Sequence, residues 1–168
     1  MKKINYYLII FFILFFTNSY ANNKIVFVDM DYLIKNSSIG KKIINQLEKE
    51  DKKNIDILKK REDSLKKIEN EIKKKQNIIS KEELQKEVNL LKEKISEFKS
   101  EKNKMVQNFS KLKNDELNKI LKEFNIIIQQ YMSKNAIDIV FDKKNIYIGK
   151  SSIDITLKVL ENIENELK

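Results

Sequence analysis

Between Gly40 and Gly149 the chain holds neither glycine nor proline, and no proline occurs anywhere else in it. A backbone stripped of its two strongest breakers has little local reason to turn. Lys, Glu, Leu and Ile fill the interval, and charged residues make up 35% of the whole chain. That mixture predicts long, solvent-washed helices.

From Ser38 to Ser133 the apolar residues keep a helical rhythm. On the outward run Ile44, Leu47, Leu58, Leu65, Ile68 and Ile72 fall on a three-four or seven-residue spacing, with one gap of eleven between Leu47 and Leu58. On the return Leu84, Val88, Leu91, Ile95, Phe98, Met105, Phe109 and Leu112 keep the same beat. A period near 3.5 is a coiled-coil seam. Asp51, Arg61 and Lys102 also fall on it, so the seam is narrow and interrupted.

The rhythm breaks at "KKKQNIISKEELQ", where Ser80 is followed three residues later by Glu83. This is a capping box, in which each side chain satisfies an orphan backbone N–H at a helix start. It predicts a helical hairpin over 38–132 with its tip near 77–82; one straight, kinked helix is the alternative. Each arm of the hairpin is roughly 60–80 Å long at 1.5 Å per residue.

The hairpin solves a pairing problem. "KIVFVDM", Lys24 to Met30, reads as a strand whose partner is absent for most of the chain. The next is "AIDIVFD", Ala136 to Asp142, in which Ile137, Ile139 and Phe141 alternate with Asp138, Val140 and Asp142. "DKKN" then predicts a turn and "IYIG" a third strand, together a β-hairpin. Only a round trip brings the first strand to the second. Asp154 is expected to cap a closing helix with Leu157, Leu160, Ile163 and Leu167 on one face. The fold class is therefore mostly α with a small β-body: an antiparallel helical hairpin arm on a short-stranded oligomerisation body formed by 22–37 and 133–168.

Residues 1–21 are different in kind. Lys2 and Lys3 precede an apolar run from Leu8 to Phe16, and Ser19 and Ala21 provide the small residues of a cleavage site after Ala21. These are the parts of a secretory signal peptide. The run is short for an uncleaved anchor, which needs roughly 20 apolar residues. With no cysteine, the mature chain has neither a disulfide nor a lipoprotein acylation site. A soluble periplasmic product is expected.

The missing residue types also bear on chemistry. Without His or Cys, the commonest general base, thiol nucleophile and zinc ligands are gone. Two glycines so far apart make no phosphate loop. Asp29 and Asp31 could suggest paired carboxylates, but a helix-capping acid at a strand end explains them better. An enzyme is not expected, nor any cofactor or metal.

Charge is concentrated on the arms, with 13 basic and 8 acidic residues in 36–79 and 11 and 9 in 80–132. Lys73, Lys74, Lys75 and Lys81 lie at the tip. Most of this is a solvated helix face, and the remainder suits attraction of acidic partners.

Leader, strand, charged helical hairpin, second strand and closing amphipathic helix together resemble the Skp/OmpH family of periplasmic chaperones. The matching stretches are "KIVFVDMDYLI", "SSIGKKIINQLEKE", "ELQKEV", "IDIVFD" and "DITLKVLENI". The resemblance covers the whole mature chain. It implies a homotrimer whose body strands join, with arms around a cavity that holds unfolded outer-membrane β-barrel proteins without ATP. It also suggests contact with an anionic membrane or lipopolysaccharide surface, although a lipopolysaccharide-binding cluster is not matched residue by residue.

Carried onto this chain, the client-contacting arm face is Leu58, Leu65, Ile72, Val88, Leu91, Ile95, Phe98 and Met105. The body and oligomer strands carry Ile25, Phe27, Ile137, Ile139 and Phe141. A non-enzymatic periplasmic coiled-coil scaffold or adaptor is the alternative function. A nucleic-acid binder is disfavoured by the leader and by the near absence of Arg.

Overall fold

A computed structural model describes residues 23–167. The expected leader and its cleavage after Ala21 lie outside the described residues. In chain order come β1 (Ile25–Val28), α1 (Met30–Asn36), α2 (Ser38–Lys75), α3 (Lys81–Lys134), β2 (Ile139–Asp142) and α4 (Thr156–Glu166). Two 3-10 turns, Lys143–Asn145 and Ser151–Ile153, lie between β2 and α4. Among the described residues no helix is long and apolar enough to cross a membrane.

The hairpin forms because its ends are written locally. Ser37 caps α2, its hydroxyl accepting from the Gly40 N–H at 3.1 Å. At the tip, the Ser80 hydroxyl accepts from the Glu83 N–H at 3.2 Å and starts α3. The last turn of α3 ends with Ala136 at φ 49°, while the Ile137 N–H donates to the Met132 carbonyl at 3.0 Å. That left-handed stop, usually a glycine's place, tucks Ile137 inward and releases the chain into β2.

The two strands pair in parallel, with Ile25 opposite Ile139 and Phe27 opposite Phe141. Parallel neighbours need a long crossover, and here the crossover is the whole arm. Lys24 locks the start, its N–H donating to the Asp138 carboxylate at 2.7 Å and its ammonium to the Asn135 carbonyl at 2.9 Å.

The expected third strand and β-hairpin do not form. The Asp142 carboxylate instead accepts from the Lys144 N–H at 3.2 Å and holds Lys143–Asn145 in a 3-10 turn. The chain then passes Gly149 against the Phe27 ring and reaches the other side of β1, where Phe27 bridges Asp154. Tyr147 and Ile148, read as strand residues, stand out in solvent. A four-residue alternating segment becomes a strand only beside an available edge, and this turn leads it away from one.

The inward phase of β2 also differs from expectation. Ile139 and Phe141 are 40% and 45% exposed, while Val140 is half-buried and Ile137 is buried ahead of the strand. The α-helical stop at Ala136 sets that phase, which alternation alone does not reveal.

On the closing helix the buried positions are Thr156, Val159 and Ile163, with Leu160 and Leu167 packed beside them. Leu157, expected on that face, is 67% exposed. Asp154 does accept from the Thr156 N–H at 3.0 Å, but it sits one residue before the cap position, Ile155.

One core lies where all elements meet. It contains Val26 and Val28 of β1, Leu33 of α1, Ile43 of α2, Ile120, Phe124, Ile127 and Ile128 of α3, and Val159 and Ile163 of α4. Both arm helices therefore reach into the body. Their roots are core elements, and only their outer parts form a free two-helix arm.

Candidate functional site

Outside the core the arm helices share a single seam, as two facing helices must. Along α2 it runs through Leu47, Glu50, Asn54, Leu58, Leu65, Ile68 and Ile72. Leu47 to Leu58 spans eleven residues, about three helical turns, and the half-buried positions between them are 50 and 54. The polar seam residues are thus Glu50, Asn54 and Glu101, while Asp51 and Lys102, expected there, point to solvent. Arg61 is also largely exposed but reaches Glu101 across the hairpin at 3.5 Å.

The eight residues expected to form a contacting face all lie in this seam. Ile72 is buried; Leu58, Leu65, Val88, Leu91, Ile95, Phe98 and Met105 are half-buried. They pack on the opposite helix and show only their flanks. Ile78 stands out at the tip, and Ile57 and Leu112 are marginally exposed; the apolar side chains most open to solvent along the arm are Ile55, Leu90 and Val106, single residues off the seam. Periodicity passes over them because they break it.

Around the polar positions the helices part. A cleft of about 660 Å³ opens there, lined among others by Glu50, Asn54, Glu101, Met105 and Phe109. Carboxylates rim an apolar floor, so extended polypeptide could find both backbone partners and side-chain contacts within it. Among the described residues no cluster of three or more His, Cys, Asp or Glu is suited to a metal.

At the basic tip, the Lys73 ammonium donates to Glu69 at 2.7 Å, and its hydrogen bond and charge hold the Glu69 carboxyl below the usual carboxylate range. Lys75 reaches Glu87 on the returning helix at 3.3 Å. Exposed pairs of this kind are screened by solvent and contribute little to stability. Lys74 and Lys81 have no ion pair among the described residues.

The body presents a second surface. Of its expected strand residues, Phe27 and Ile137 belong to the interior, whereas Ile25, Ile139 and Phe141 are exposed. Beside the latter two runs a groove of about 820 Å³ formed with Met30, Ile34, Leu121 and Ile128. Asp29, the suspected half of a carboxylate pair, caps α1, its carboxylate accepting from the Tyr32 N–H at 2.9 Å.

This architecture has counterparts. The family model described as outer membrane protein (OmpH-like) matches residues 24–163. The chain belongs to the OmpH-like family. The crystal structure of a candidate outer membrane chaperone (OmpH-like) from Caulobacter crescentus superposes with a TM-score of 0.77. The two chains are 16% identical, and the match covers 86% of each. At that identity the likeness speaks for the fold. No curated protein matches the sequence.

Proposed function

We propose that this OmpH-like protein is a periplasmic, ATP-independent holdase that keeps unfolded outer-membrane proteins from aggregating in a cavity between its arms. The observation that carries the reading is the arm itself, a long two-helix hairpin whose seam is half-exposed and opens midway into a cleft with an apolar floor. Many weak, reversible contacts suit a client that has no fixed shape. The basic excess on the arms would draw in acidic clients over a distance of about 8 Å at physiological salt.

A cavity needs more than one arm, and the body offers a means to join copies. Ile25, Ile139, Phe141, Tyr147 and Ile148 are large apolar residues left in water on a small body. Covering them by like copies would reinforce a modest core. Three copies is the number the family resemblance implies. The leader pattern in residues 1–21 supports export. Contact of the basic tip with an anionic membrane or lipopolysaccharide belongs to the same proposal.

The decisive experiment is to refold a purified outer-membrane barrel protein with and without this protein and follow aggregation by light scattering. Suppressed scattering without ATP is the expected result; unchanged scattering at molar excess removes the holdase reading. The mutual packing of the seam residues favours a second reading, a coiled-coil scaffold. Removing two heptads from each arm in register distinguishes them. An enclosing cavity then protects large clients less well than small ones, and a scaffold is indifferent to client size.

A further inference from the structure

We propose that the mid-arm cleft selects basic–apolar segments of unfolded polypeptide, in which a lysine or arginine stands beside a large apolar side chain. The inference rests on the holdase reading for the source of that polypeptide, and narrows it to one class of segment.

The cleft differs in charge from the arm that carries it. The two arm stretches are basic, with 13 basic and 8 acidic residues in 36–79 and 11 and 9 in 80–132. Among the charged residues lining the cleft the balance reverses, Glu50, Glu97 and Glu101 standing against Lys104 alone. Glu97 and Glu101 are also one turn apart on the same face of α3, a like-charge spacing that weakens a helix. A cation held between them would remove that repulsion.

The chain itself shows the match. Its one arginine, Arg61, crosses from α2 and reaches the Glu101 carboxylate at 3.5 Å. Arg61 lies in a smaller recess of about 130 Å³, and Glu97 and Glu101 line both that recess and the cleft. On the cleft side the carboxylates are less well served. Glu97 has no ion pair among the described residues, and Lys53 comes no nearer to Glu50 than 3.8 Å.

Met105 and Phe109 make the apolar floor, both half-buried. A lysine or arginine stem is itself apolar and can lie along such a floor with its charged head at the rim. The volume, about 660 Å³, falls within the range of ligand sites and admits a few side chains at a time. Approach and seating therefore follow different charges. The arm's excess of lysine acts at a distance on an acidic client, and at contact the carboxylates of the cleft choose its basic–apolar stretches.

The chain has no tryptophan, so the fluorescence of a peptide's own tryptophan reports its seating. Short peptides are titrated into the full chain, each with a central tryptophan flanked by lysine, by serine or by aspartate. The lysine peptide is expected to bind about five- to tenfold more tightly than the aspartate peptide, the scale of two exposed ion pairs. Glu97→Gln with Glu101→Gln should abolish that preference, and Glu97→Lys with Glu101→Lys should invert it. Glu62→Gln with Glu69→Gln makes the same change of net charge as the first pair, at exposed sites away from the cleft, and should leave the preference intact. Far-UV circular dichroism checks that the helices persist; if the lysine pair unfolds, the glutamine pair decides. Equal binding of all the peptides, an aspartate preference in the parent, or a lysine preference that survives the glutamine pair overturns the proposal. So does an affinity that falls as the protein is concentrated, which would mean that a second copy fills the cleft. The aggregation assay keeps the two readings apart. Suppression without a peptide preference sinks this inference alone; preference without suppression leaves the selectivity of the cleft standing and removes the holdase.

Discussion

Two stretches of the same helix pair behave as different materials. At the root, Ile43, Ile120, Phe124, Ile127 and Ile128 are buried beneath β1, α1 and α4. A few turns further out the helices meet through Glu50, Asn54, Glu101, Met105 and Phe109, all half-buried around a cleft. Two helices alone bury one stripe each, and a closed core needs further elements laid across them. The root is rigid because three other elements cover it, and the arm is yielding because nothing in the chain does.

Truncating one phenylalanine in each stretch gives the largest test of this contrast. Phe124→Ala, at a residue with 0% exposure, should cost about 3–5 kcal/mol. Phe109→Ala, already open to water, should cost about 1 kcal/mol. Urea midpoints at one protein concentration read both, and equal losses would erase the distinction.

Glycine substitutions probe the root further. Ala at an ordinary helical glycine gains about 1 kcal/mol. At Gly40 the backbone carbonyl of Ile34 stands in the way, so Gly40→Ala should instead cost about 1–3 kcal/mol. Gly149→Ala meets only the edge of the Phe27 ring, at 2.9 Å. That ring can tilt, and the loss should stay below about 1 kcal/mol. A more stable Gly40→Ala variant would show that the corner is looser than its geometry.

The mid-arm cleft can be sharpened in the opposite sense. Glu50→Leu with Asn54→Leu makes the seam continuous and should stabilise the arm by about 1–2 kcal/mol in all. Slower amide exchange at Met105 and Phe109 is the measurement. Exchange that stays as fast would mean that the gap owes nothing to its polar lining. If clients use the cleft, the stiffened protein also suppresses their aggregation less well.

The smallest effect is that of acid. The Ser38 hydrogen bonds, hydroxyl and backbone, hold the Glu164 carboxyl below its ordinary 4.5, with the Lys41 charge adding to this. A lowered folded-state pKa means a contribution that is complete above that ordinary value and lost as pH falls through the lower one. The Glu164–Ser38 contact should therefore persist from neutral pH down to the ordinary carboxylate range and weaken only below it. The carboxyl carbon shift of Glu164, followed by NMR against pH, checks this; a midpoint at or above the ordinary value would count against the contact. Glu69 is held low in the same way by Lys73, within one helix.

Much of the hairpin was legible because its signals are local. Ser80 starts α3 through its own hydroxyl, and Asp29 caps α1 as a strand-end acid should. The seam itself follows from apolar spacing. What spacing leaves open is phase across polar gaps: Asp51 was expected in the seam and Glu50 occupies it, because the eleven residues from Leu47 to Leu58 admit either position and only packing chooses between them. The Glu164–Ser38 contact was not legible at all, since nothing in the identity of Glu164 points to Ser38.

By itself, then, the sequence determined where the two arm helices lie, how the returning one starts, and that the chain must go out and return. Those properties depend on neighbours within a few residues, through propensity, capping and period. Tertiary structure alone decided that β1 and β2 run parallel, that Tyr147 and Ile148 leave the sheet, and that Leu157 faces water while Val159 is buried. Each of those outcomes depends on which distant surface arrives first at a shared edge or face. That competition is settled by packing in three dimensions, where a four-residue alternation or a single leucine carries too little free energy to choose for itself.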